Sequence, residues 1–219
     1  MKQEIDPKDT SRAQAFELWM KSPMPMVTLT KTFDVTRLRM VSRRRVIRSP
    51  FGRLLPEGRK KFNLLLCWCI GKAASRIDEF YLLPEQGKLM KYDRLAINVI
   101  VNNKGGGINS CDILYTNDLE QFGQDYMALT QSASTSCQSS FVDDAMVIGT
   151  SAMTATELGS IVNQYTDQFC NPMVMWGRYR KGWLKTTLPI SFQFHHVQMD
   201  GGHAAQFLEE LQKTIVSLL

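Results

Sequence analysis

The stretch FNLLLCWCIGKAA, residues 62–74, constrains this chain more than any other. Its length suits a helix, and its apolar residues run almost all the way round instead of along one stripe. A helix that is apolar on every side cannot rest on a surface and has to be buried. The chain has 219 residues, enough to build one sizeable core around it.

The other segments alternate between strand and helix chemistry. Residues 10–20, TSRAQAFELWM, are predicted to form a short helix with Thr10 or Ser11 as N-cap and Phe16, Leu18 and Trp19 as its apolar surface. The prolines of SPMPM end it, because each removes a backbone donor and disfavours helix in the residue before it. MVTLTKTFDV alternates with the period of two that suits a strand, and DVTRLRMV can open a second helix at Asp34 or Thr36. EFYLLPEQGKLMKYDRLAINVIVNN divides into short strands with PEQG as a turn. KGGGIN is another turn, since it lacks the Lys-Ser/Thr ending of a phosphate loop.

TNDLEQFGQDYMALTQSAS is helical, capped by Asn117 or Asp118, with Leu119, Phe122, Tyr126 and Leu129 on one face. DDAMVIGTSAM reads as a strand running into a loop, and FCNPMVMWGRYRKGWLKTTLPISFQFHH as two strands joined at RKGW. The last helix starts near Gly202 and carries Phe207, Leu208, Leu211, Ile215 and Leu218 as its stripe. Strands and helices interleave without a long linker, so one domain over residues 1–219 is expected, a sheet covered by helices.

Composition excludes several classes. No apolar run is long enough to cross a membrane, and the polar, acid-bearing MKQEIDPKDTSRAQ is no secretory signal. The five cysteines (Cys67, Cys69, Cys111, Cys137 and Cys170) are scattered, odd in number and without a C-x-x-C pair. That pattern argues against a disulfide framework and against a zinc site, so a cytoplasmic protein without metal is expected. Cys67 and Cys69 fall in the apolar run, where free thiols behave as small hydrophobes. Much of the net charge of +5 comes from SRRRVIRSPFGRLLPEGRKK, spanning Arg43 to Lys61. Clustered cations suit phosphates, but no nucleic-acid motif accompanies them and few aromatics are interleaved. No nucleic acid is expected as a partner. An exposed helix end and loop, or contact with an anionic small ligand, accounts for the segment.

All three histidines fall within SFQFHHVQMDGGHAAQFLEELQ. Adjacent strand residues face opposite ways, so His195 is expected beside Ser191 and Gln193, and His196 beside Phe192 and Phe194. Only one of the pair can point into a given pocket. A strand histidine is more often structural, but MDGG sets a tight, polar strand-to-helix turn beside this pair.

HHVQMDGGH fits the H-H-x-x-x-D-G motif of coenzyme-A-dependent acyltransferases, and the wider pattern resembles the chloramphenicol acetyltransferase family. SRAQAFELWMKSPMPMVTLTKTFDVTRL is similar to that family's N-terminal helix and first strand, NPMVMWGRY to the segment one hairpin before the motif, and GGHAAQFLEELQ to its last helix. The resemblance covers most of the chain. It implies an α/β two-layer sandwich with a mixed β-sheet packed against helices, assembled as a homotrimer with active sites between subunits. It implies transfer of acetyl from acetyl-CoA to a hydroxyl of chloramphenicol, or of another small alcohol or amine. By the same resemblance His196 is the general base. Asp200 holds the histidine turn and pairs with Arg12. Tyr179 lies near coenzyme A, and Trp19 lies at the acceptor pocket.

One part of the pattern departs. The family places a serine hydroxyl on the oxyanion through a Ser-x-x-Pro-Trp strand end, and an ungapped count back from Pro172 lands here on Gly149. Thr150 is the nearest hydroxyl and Ser151 the next; a backbone N–H or a water are the alternatives. Methionines in KSPMPMV also replace a more aromatic segment at the pocket, which leaves the acceptor open. A non-catalytic relative that binds coenzyme A is the competing expectation.

Overall fold

The computed structural model describes residues 1–43, 61–166 and 168–218; most of the basic segment between Arg43 and Lys61 lies outside the described residues. Strand β1 (Lys2–Ile5) and a 3-10 turn (Pro7–Asp9) lead into helix α1 (Ala13–Trp19), followed by β2 (Met26–Asp34) and α2 (Thr36–Arg43). Then come α3 (Phe62–Ala74), a second 3-10 turn (Asp78–Tyr81), β3 (Leu82–Glu85), β4 (Lys88–Tyr92), β5 (Leu95–Asn102) and β6 (Ile108–Leu114). Helix α4 (Leu119–Ser136), β7 (Met146–Met153), β8 (Met173–Gly177), β9 (Arg180–Lys181), β10 (Thr186–His195) and α5 (Gly201–Val216) complete the order.

The large sheet runs β2-β10-β8-β7-β5-β6, with β9 beside β10. It is mixed. β10 is antiparallel to β2, β8 and β9, β7 is parallel to both β5 and β8, and β6 returns antiparallel to β5. Helices α3, α4 and α5 pack on one face, giving the expected two-layer α/β sandwich. A smaller sheet, β1-β4-β3, stands apart.

The alternation of each strand decides which residues meet the helices. Leu188, Ile190, Phe192 and Phe194 of β10 all point into the core, where Phe192 lies 4.6 Å from Phe207 of α5 and 5.8 Å from Phe80, centroid to centroid. Each such ring contributes about 1.5–3 kcal/mol by leaving water. Helix α3 fills the middle of the helical layer, with every residue from Leu64 to Gly71 buried, as its all-round apolar character requires. Asp118 caps α4 through the N–H groups of Glu120 and Gln121.

Three local expectations need correction, and one strand was not anticipated. Helix α1 starts at Ala13 with Arg12 as N-cap in place of Thr10 or Ser11, the Thr10 hydroxyl instead accepts from the Arg12 N–H, and Leu18 is exposed. The turn in PEQG is Gln86–Gly87 alone: both have positive φ, as a two-residue hairpin requires, while Pro84 and Glu85 belong to β3. The polar N-terminus carries strand β1, which pairs with β4. Strand β10 ends at His195, so alternation stops there and His196 does not join Phe192 and Phe194 on the core face.

Candidate active site

The polar turn between β10 and α5 is fastened by one side chain. Arg12, almost wholly buried, donates Nε to the Val197 carbonyl at 3.0 Å, one terminal nitrogen to the His196 carbonyl at 2.9 Å, and the other to Asp200 Oδ2 at 3.2 Å. A guanidinium suits this work because its donors form a rigid fork. The Asp200 side chain is the more exposed partner, while Arg12 is enclosed. Asp200 also caps α5 by accepting from the N–H groups of Gly202 and His203. Burial raises the Asp200 pKa, but the hydrogen bonds from His203, Arg12 and Gly202, together with the His203 charge, outweigh it and leave the carboxyl below its usual range.

Those contacts hold His196 from both sides. Its N–H donates to the Pro25 carbonyl at 2.8 Å, and its own carbonyl is taken by Arg12. The ring stacks on Trp19 with centroids 5.0 Å apart and planes inclined by 12°. His196 Nδ1 is buried and meets no hydrogen-bond partner among the described residues. That leaves Nε2 as the nitrogen within reach of a substrate.

His195 is different. Its Nδ1 accepts the Val197 N–H at 3.1 Å, so the neutral ring carries its proton on Nε2. Burial first, and the neighbouring His196 second, push its pKa down to about 4. His195 is thus a neutral, structurally engaged imidazole. The third histidine, His203, was missed as part of the site: it bridges Asp200 and Glu79, with Nε2 3.1 Å from Glu79 Oε1. The D-x-x-H spacing before an apolar stripe is the signal that could have found this capping box.

The face of the large sheet away from the helices carries a cavity of about 500 Å3, lined by Asn98 and Asp112 from β5 and β6, Gly149 from β7, Gln193 from β10 and residues of the segment that crosses this face, including Asn163 and Phe169. A larger cavity, about 1630 Å3, opens between α1, the small sheet and His195. His196 and Trp19 line neither.

Thr150 is not placed to serve an oxyanion. It shares the helix-facing side of β7 with Met146 and Ile148, and its hydroxyl donates to the Asn98 carbonyl at 2.7 Å. Gly149 lies on the cavity side. A Cβ there would meet Met173 Sδ at 2.0 Å, so the methionine occupies the place of a side chain at this position, and the Gly149 N–H is spent on the Pro172 carbonyl. Only the cross-strand register brings Gly149 and Met173 together, which no sequence spacing could reveal.

Tyr179 packs against Phe62, and the Arg39 guanidinium lies 5.9 Å from its ring. It sits near the β9 end of β10, whereas His196 follows the other end. The structure does not bring the two together: eight steps along the strand separate Thr187 from His195, roughly 27 Å. Among the described residues no three His, Cys, Asp or Glu side chains gather as metal ligands, and no helix is long and apolar enough to cross a membrane.

A family model described as chloramphenicol acetyltransferase matches residues 3–212. Chloramphenicol acetyltransferase 3 of Escherichia coli is 23% identical over 221 residues, covering 98% of this chain and 97% of that protein. A chloramphenicol acetyltransferase 2 of Haemophilus influenzae is 20% identical over 98% of this chain and 97% of its own length. A solved chloramphenicol acetyltransferase shares the fold with a TM-score of 0.74 at 19% identity, covering 98% of both chains. A probable dihydrolipoamide acetyltransferase from Listeria monocytogenes 4b F2365 shares it with a TM-score of 0.68 at 13% identity, covering 98% of this chain and 94% of that one.

Proposed function

The chain belongs to the chloramphenicol acetyltransferase family, and from that premise we propose that it moves acetyl from acetyl-CoA to a hydroxyl, with residues 1–219 acting as one acyltransferase domain and chloramphenicol as the first acceptor to try. His196 is the general base. The observation that carries this role is its setting: a ring stacked on Trp19, backbone fastened on both sides, Nδ1 buried and Nε2 free.

In this reading Nε2 takes the proton as the acceptor oxygen bonds to the thioester carbonyl carbon, and the carbonyl π electrons move to its oxygen. Collapse of that intermediate breaks the carbon–sulfur bond, and the imidazolium returns the proton to the leaving thiolate. Both substrates bind together, so no acyl-enzyme is formed. Arg12 and Asp200 are positioning residues that fix the turn carrying the ring. Trp19 sets the ring plane. Tyr179, with the Arg39 guanidinium beside it, is the proposed contact for the end of coenzyme A remote from the reacting carbon.

Ser151 replaces Thr150 as the proposed oxyanion donor. It follows Gly149 on the same side of β7, and its hydroxyl meets no partner among the described residues. Since His196 lines neither cavity, the site is completed when a second copy brings the cavity on its sheet face against this histidine. That requirement supports a homotrimer with shared sites.

One observation favours a second reading. The Gly149–Met173 pair removes the family's hydroxyl, as a chain that binds coenzyme A without turnover could tolerate. Thiol release from acetyl-CoA with chloramphenicol present, followed with a chromogenic disulfide, separates the two. Release that falls about 10²–10⁴-fold in His196→Ala supports the enzyme. Coenzyme A binding without release supports the binder.

A further inference from the structure

Asp112 is 5% exposed and lies mid-strand in β6, on the cavity side, between the core residues Cys111 and Ile113. Its Oδ1 accepts from Asn98 Nδ2 at 2.7 Å and its Oδ2 from the Val142 N–H at 3.0 Å. Two accepted bonds, one on each oxygen, suit an ionised carboxylate, which keeps lone pairs to spare. Yet no Lys, Arg or His among the described residues forms an ion pair with it, and none lines the cavity. A buried charge is ordinarily matched by an opposite one, because desolvation alone is costly.

The same cavity wall holds a second surplus acceptor. Gln193, 3% exposed, donates Nε2 to the Asn163 carbonyl at 3.0 Å, which fixes the orientation of its amide. Its Oε1 is then left buried with no partner. The remaining wall is mostly neutral and polar (Asn98, Asn163, Asn171) with Phe169 and Met173 as apolar surface. A volume of about 500 Å3 accommodates a small molecule. Among the described residues the cavity wall carries no positive charge, and a ligand can supply it.

We propose that this cavity binds an acceptor bearing an ammonium group, paired with the Asp112 carboxylate, so that the substrate class is amino alcohols rather than neutral alcohols. The inference rests on the acetyl-transfer reading for the chemistry at the hydroxyl, but not for the binding of the cation. The protonated amine carries no lone pair and does not attack the thioester; it anchors the molecule while the hydroxyl reacts. A neutral acceptor of the same size leaves Asp112 buried without a counter-charge.

Two probes on one scaffold test this: chloramphenicol, which is neutral, and the amino alcohol obtained by removing its dichloroacetyl group, which presents an ammonium beside the same primary hydroxyl. Thermal stabilisation of the full chain without coenzyme A is read first, then thiol release with acetyl-CoA. The expected result is stabilisation by the amino alcohol at concentrations where chloramphenicol gives none, lost in Asp112→Asn. Gln193→Glu, which adds a second acceptor charge, retains or strengthens it. Should thiol release be absent while the amine-selective stabilisation persists, acetyl transfer fails and the cation site stands. Equal stabilisation by both probes, none by either, or selectivity unchanged in a folded Asp112→Asn protein overturns the proposal.

Discussion

The two faces of the large sheet follow opposite rules. Toward the helices, β5, β7 and β10 present Ile97, Val99, Met146, Ile148, Phe192 and Phe194, all enclosed in one core. Toward the other side the same strands present Asn98, Gly149, Ser191, Gln193 and His195, away from α3, α4 and α5. An irregular segment crosses this face instead, with the Ile161 N–H donating to Ser191 Oγ and the Asn163 carbonyl accepting from Gln193. One face holds the fold together, and the other spends its positions on polar groups that apolar packing would have used better. Such a cost is expected where a site needs defined donors and acceptors.

Paired substitutions on one strand break the comparison most sharply. Phe192→Ala on the helix side should cost about 3–5 kcal/mol in urea unfolding, since its ring touches Phe80, Phe194 and Phe207. Ser191→Ala, one residue away, should cost only about 1 kcal/mol, for the bonds to Thr30 and Ile161. Equal costs would erase the distinction between the faces.

The next effect is a pH dependence on the polar side. The folded-state pKa of His195, about 4, lies below its ordinary value of 6.5. As pH falls, the unfolded chain binds the proton first. Stability is therefore full above the ordinary value and declines on descending toward 4, by up to about 3 kcal/mol. Thermal unfolding between these limits should flatten in His195→Gln, and an unchanged slope would show that another group is responsible.

Smaller still is the Gly149–Met173 pair. Gly149→Ser forces the Met173 sulfur aside and should destabilise by about 1–3 kcal/mol, most of it recovered when Met173→Val is added. Independent, additive costs in the double variant would mean that the two residues do not share the space.

These contrasts also explain what could be read from the sequence. Periodicity carries the helix-facing side: α3, α4 and α5 fall where their apolar residues place them. Strand β1 left no such signal, because Lys2, Gln3 and Glu4 are exposed and β4 supplies the pairing. The motif located His196 and Asp200, the wider resemblance located Arg12, and in the structure the Arg12 side chain does reach the turn that carries the other two. Thr150 was misjudged because one step along a strand reverses the face, and the choice between Gly149 and its neighbours depends on that step. Asp112 was legible in principle, as a lone charge between Cys111 and Ile113 in an apolar strand, but its lack of a counter-ion among the described residues is a fact of three dimensions.

The most direct test asks whether the base and the cavity of two copies work together. His196→Ala removes the base, and Ser110→Trp fills the cavity from its rim, so each variant alone should release no thiol from acetyl-CoA with acceptor. Co-expressed, the two chains should form mixed oligomers that regain turnover, because one supplies an intact cavity and the other an intact histidine. Mixed oligomers that are folded and assembled yet inert would contradict a site shared between copies.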